Sequence, residues 1–222
     1  MLRTRSILVC VLLLAASVAS AEPSTAATEF RFDRAADLRC AASGRPVRPE
    51  WADELEARLP EVRAVWAAMG PPLVESVTAL TKKPFAAPAV GRLTVCDQPS
   101  NAFRGVTVNM RYALRSFTSA PVPVRYKADT VFHEALHDFV SRHTPRDSEL
   151  LARHAGESWC VRNHLHLLAL QKAALLRTGD TRSLEQLVLI DGQLPSGCYR
   201  RAWTLVDESP NAYESYVAEL SR

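Results

Sequence analysis

The chain has 222 residues, 47% of them hydrophobic, with 27 Lys and Arg against 24 Asp and Glu. That near-balance, with no long Lys/Arg block, argues against a nucleic-acid partner, because nothing in the sequence can track a phosphate backbone. Beyond the first residues no apolar run nears membrane-spanning length.

Residues 1–21 read as a secretory signal. Arg3 and Arg5 precede an apolar stretch from Ile7 to Val18, and Ala19-Ser20-Ala21 offers a small-x-small cleavage site. The stretch is short for a bilayer span. Cys10 lies inside it behind Val9, which does not suit a lipid-modified cysteine. Cleavage after Ala21 leaves a single domain at 22–222, with 25 basic and 24 acidic residues, long enough to bury a core. The expected product is periplasmic or secreted, with no stable membrane insertion once the signal is removed. Four cysteines survive processing: Cys40, Cys96, Cys160 and Cys198. An even number in an exported chain reads as two disulfides. Of the three pairings, Cys40–Cys96 and Cys160–Cys198 are favoured because each stays within one half of the chain. No Cys-x-x-Cys knuckle supports a four-cysteine zinc site.

In chain order, Glu29 to Asp33 suits a short strand. A helix is expected from Pro49, with Trp51, Leu55, Leu59, Val62, Trp66 and Met69 on one stripe. Pro60 should kink or divide it, Gly70-Pro71-Pro72 should end it, and a shorter helix should follow through Leu80. Gly91–Cys96 and Gly105–Met110 read as strands, with Tyr112–Thr118 as a third. Pro121 and Pro123 then break the chain. Helices are expected at 129–142, 148–177, 183–191 and 210–221, the first capped by Asp129. A small mixed sheet with an edge strand, then a largely helical C-terminal half, makes an α+β fold.

The chemistry centres on His133-Glu134-Ala135-Leu136-His137. Residues four apart on a helix leave the same face one turn from each other, so His133 and His137 can share one zinc ion. Glu134 can reach a water on that ion without ligating the metal, take its proton and pass it to a leaving amine. With six histidines in the chain, chance supplies such a match in about one chain per hundred. Two unpaired core imidazoles on an apolar helix would be costly to bury.

A third ligand is needed. His143 lies about 9 Å further along a continuing helix than His137 and points elsewhere; a place near the helix C-terminus accounts for it. Glu157 is the preferred ligand. On the expected next helix, Leu150, His154, Glu157, Val161, His164 and Leu168 fall on one stripe, and a short connection makes the two helices neighbours. His154 and His166 read as structural. A Cys160–Cys198 disulfide would bring Tyr199 near Glu157, where a phenol can donate to a developing oxyanion. His164 competes for that role, and a packed Tyr or core His is an equally ordinary reading.

His133, Glu134, His137 and Glu157 together resemble the zinc-binding set of the gluzincin metallopeptidases, with the interval of the thermolysin-like branch. Asn101-Ala102-Phe103 is similar to the segment that several gluzincins place beside the substrate on an edge strand. An edge strand can pair with an extended peptide, which makes Asn101 and Ala102 candidate substrate contacts. The resemblance covers about residues 101–164 and departs at Val161, where the thermolysin-like branch carries an Asp that orients a ligating His. It implies a zincin-like domain that hydrolyses a peptide or protein substrate through a zinc-held water activated by Glu134. The alternative is a non-catalytic exported zincin-like binding protein with a structural zinc.

Overall fold

Short β-branched segments pair into a three-stranded sheet. The structure, a computed structural model, describes residues 28–40 and 46–222; the expected signal at 1–21 lies outside them. Strands β1 (Glu29–Phe32), β2 (Val90–Thr94) and β3 (Val106–Asn109) lie in that order. Both pairings are parallel, with Phe30 opposite Gly91 and Gly91 opposite Val106. The sheet is therefore parallel rather than mixed, because the long excursion between β1 and β2 returns the chain to the same end of the sheet. Residues 112–118 form no strand. A single 3-10 turn at Arg111–Ala113 begins that stretch, and Arg111 anchors it by donating from Nε to the Val95 carbonyl at 2.8 Å.

Helix α1 (Arg34–Cys40) is followed by α2, which runs unbroken from Pro49 to Thr81 through Pro60, Pro71 and Pro72. The expected divisions do not occur. All three prolines lie on the exposed side, where water can satisfy the carbonyls they orphan. The opposite stripe of Trp51, Leu55, Val62, Trp66, Met69, Leu73 and Val77 is buried along the whole length. That burial, at roughly 1.5–3 kcal/mol per large side chain, outweighs the proline penalties. Gly70 does not end the helix; it seats Trp66. A Cβ on Gly70 would stand 2.6 Å from the indole, and Trp66 is held from the other side by an edge contact to Phe30 at 6.2 Å. Gly70→Ala should therefore destabilise the protein by about 1–2 kcal/mol, the overpacking cost exceeding the roughly 1 kcal/mol gained in helix propensity. A urea midpoint equal to or above that of the parent protein would refute this.

The remaining helices are α3 (Val124–His143), α4 (Glu149–Arg153), α5 (Trp159–Arg177), α6 (Thr181–Gly192), α7 (Cys198–Val206) and α8 (Ala212–Leu220). Helix α5 is the axis of this half: every residue from His164 to Gln171 is buried, as a helix packed on all sides must be. It touches α2, α3, α6, α7 and α8, while α3 joins it to the sheet through β3. The expected helix 148–177 is two helices. Ala155 and Gly156 lie in a turn, and Ser158 caps α5 by accepting from the Val161 N–H at 3.3 Å. Helix α3 begins at Val124, so Asp129 is buried within it rather than capping it. Both expected cysteine pairs are at disulfide distance, Cys40 with Cys96 and Cys160 with Cys198, each with Cα atoms 6.1 Å apart. Among the described residues no helix is long and apolar enough to cross a membrane.

Candidate metal centre and cleft

Helix α3 buries Val131, Phe132, Leu136 and Phe139 and so turns His133 and His137 toward α5. Their ring centroids are 5.0 Å apart. The side chain that meets them from α5 is His164, 5.4 Å from His133 and 5.1 Å from His137, centroid to centroid. The three imidazoles offer nitrogen atoms all within 4.8 Å of one another, a grouping able to hold a metal ion.

Each ring is oriented by its surroundings. His164 Nδ1 lies 2.7 Å from the Cys160 carbonyl, so Nδ1 carries the proton and Nε2 has a free lone pair. That Nε2 is buried and has no hydrogen-bond partner. A buried nitrogen lone pair facing two other imidazoles, with nothing to satisfy it, is what a ligand looks like without its ion. His133 Nδ1 lies 3.1 Å from Gln171 Oε1, which makes Gln171 the acceptor that fixes the His133 tautomer. Burial lowers the pKa of all three rings: His133 falls well below the usual range, His137 to about 4, and His164 is lowered as well. Mutual repulsion adds to the effect at His133 and His137. All three are neutral at pH 7, as ligands must be. If the three imidazoles hold a metal ion, Gln171→Ala should weaken its binding by about 10- to 100-fold, the usual range for an outer partner of a ligating histidine; an unchanged affinity in a chelator competition titration would exclude the role.

Glu157 does not join this group. It lies in the turn before α5, and its Oε1 accepts from Arg201 Nε at 2.9 Å and Nη2 at 2.5 Å. That ion pair holds its carboxyl below the usual range, chiefly through the hydrogen bond to Arg201. The reason is the helix break: with residues 155–158 out of the helix, Glu157 loses the phase that would align it with His164. His143 keeps the end-of-helix role, with Nδ1 2.7 Å from the Phe139 carbonyl. His154 pairs with the Tyr216 hydroxyl at 3.0 Å and His166 with Glu219 at 2.8 Å, both structural.

The grouping borders a cleft of ≈ 510 Å³ whose lining includes His133, Glu134 and Tyr199. Burial raises the Glu134 carboxyl to about 7. Tyr199, on α7 beside Cys198, has its hydroxyl 3.4 Å from His133 Nε2 and its ring 4.5 Å from that of His164. The expected substrate contacts Asn101 and Ala102 do not line the cleft; Gln98, Pro99 and Ser100 do. Asn101 instead closes the outer edge of β3, its N–H and C=O pairing with Thr107 at 2.9 and 2.8 Å. That part of the edge is occupied by the chain itself. Neither Gln171 nor Lys127 belongs to a sequence motif. Gln171 alone carries a signal, as a polar residue on the His164 stripe in a run of Leu and Ala.

No family model, curated protein or solved structure matches the chain.

Proposed function

We propose that this chain is an exported zinc-dependent peptidase in which His133, His137 and His164 hold the ion, Glu134 is general base and acid, and Tyr199 stabilises the developing oxyanion. The observation that carries the reading is the buried, unpartnered Nε2 of His164 facing the His133/His137 pair beside an open cleft. Three imidazoles are a donor set that zinc favours, and the side toward the cleft leaves room for a fourth, exchangeable position. Zinc supplies Lewis acidity, lowering the pKa of a water to about 7 and polarising a carbonyl.

The protein's own groups do the rest. Glu134, lining the cleft next to His133 in the chain, would take a proton from the attacking water and return it to the leaving amine. Burial also raises the Tyr199 phenol, so it remains a protonated donor toward negative charge on the substrate oxygen. The zincin-like reading rests on His133, Glu134 and His137. The gluzincin branch would need Glu157 at the metal, and its ion pair with Arg201 argues against that. The two cysteine pairs favour an oxidising compartment and thus export.

The test is cleavage of casein and of broad peptide libraries by the purified protein, abolished by a chelator and restored by zinc. Persistent inactivity of zinc-loaded protein would favour a structural zinc in a binding protein. Tyr199→Phe should keep zinc and lose about 10²- to 10³-fold in kcat, as removal of an oxyanion donor does; unchanged kcat would remove Tyr199 from the mechanism.

A further inference from the structure

Lys127 lines the same cleft, on α3, and is only 7% exposed. The Tyr126 ring lies 5.6 Å from its Nζ. Among the described residues no carboxylate lies within ion-pair distance of it. It is also the fourth residue of α3, whose first turn contains no acid, so it stands at the helix end where the backbone dipole disfavours a cation. Burial alone pushes its ammonium down to about 8, with no acid near enough to offset the effect. A buried, unpaired charge at the wrong end of a helix is destabilising on every count. Among the described residues no acid pairs with it, and it lines the cleft.

We infer that Lys127 is the recognition site for a carboxylate on the substrate, so that the cleft takes peptides bearing a free carboxylate beside an apolar side chain. Val122, Leu187, Ile190 and Leu194 line the cleft and supply the apolar seat. A monoanion is favoured over a phosphate-like dianion because Asp191 and Glu134 share the lining and would repel surplus negative charge. The carboxylate comes either from the chain end or from an acidic side chain, and the substrates below separate the two. The inference rests on the peptidase reading only for its hydrolytic part.

The test uses the full exported protein, with and without added zinc. In a binding titration, 3-phenylpropionate should bind at least about tenfold more tightly than 3-phenylpropionamide, the usual gain from a charge-assisted hydrogen bond. Lys127→Met should bring that ratio to near one, and Lys127→Arg should retain it. Because Lys127→Met removes an uncompensated charge, its melting temperature should rise, by about 2 °C or more; this also shows that the variant folds. Hydrolysis is then compared on peptides ending in a free acid or an amide, and on peptides carrying Glu or Gln. Preference for the free acid assigns the chain end; preference for Glu assigns the side chain. Binding discrimination without hydrolysis would sustain Lys127 and overturn the peptidase. Hydrolysis with equal rates on all four peptides, or equal binding of acid and amide, would overturn the carboxylate site and leave the peptidase intact.

Discussion

Glu134→Gln should bind zinc stoichiometrically and lose peptide hydrolysis by about 10²- to 10⁴-fold, the usual contribution of a positioned general base. The separation of effects follows from geometry: Glu134 lines the cleft but is not one of the three clustered imidazoles. The same variant has a signature in the metal-free protein. Burial holds the Glu134 carboxyl at about 7, above its unfolded value, so the folded protein keeps a proton that the unfolded chain releases as pH rises. The resulting penalty is absent below about pH 4.5 and complete above about pH 7. The isosteric amide never ionises, so Glu134→Gln should be more stable than the parent at pH 8, by roughly 2–3 kcal/mol, and indistinguishable at pH 4. Denaturant titrations at the two pH values read this directly. A variant that hydrolyses peptides at the parental rate would end the proposed chemistry.

The second large effect separates two candidate ligands. His164→Ala should weaken zinc by more than about 100-fold, beyond the range for an outer partner, because it removes one of three donors. Glu157→Gln should leave zinc affinity unchanged, since its carboxylate faces Arg201 rather than the imidazoles. Competition with a chromogenic chelator measures both. The reverse ranking would restore Glu157 as ligand and displace His164.

The difference between those residues shows what the sequence could and could not convey. The pair His133 and His137 is local to one helix, so spacing alone places it. The proposed third ligand, His164, depends on the phase of a different helix, and that phase is reset by the turn at Ala155–Gly156 and the cap at Ser158. Gly156 and Ser158 are signals of a break, but the apolar periodicity continues across them and hides it. His164 lies on the expected stripe, where the sequence suggests an oxyanion donor rather than a ligand. Tyr199 is legible only through the Cys160–Cys198 pairing, which supplies a long-range neighbour that no periodicity encodes. Helices α1 and α7 have no clear sequence signal, α7 starting directly after the turn-like Pro195-Ser196-Gly197. The sheet is parallel rather than the expected mixed one for a similar reason: β2 and β3 are each legible as short strands, but whether they run together is decided by the route between them. The prolines of α2 misled because their local penalty is smaller than the buried face that the whole helix shares.

The Cys160–Cys198 link spans a sequence separation of 38 residues, and α6 lies inside the loop it closes. Leu187, Ile190 and Asp191 of that helix form the cleft wall opposite α3. A closed loop of that size limits the freedom of the unfolded chain by about 4 kcal/mol, and it fixes the start of α7, just after that wall, to the start of α5, one turn before His164. The segment leaving that wall is thus moored at the histidine end of the cleft by a covalent bond. Reduction of this bond should loosen that mooring first, ahead of the sheet.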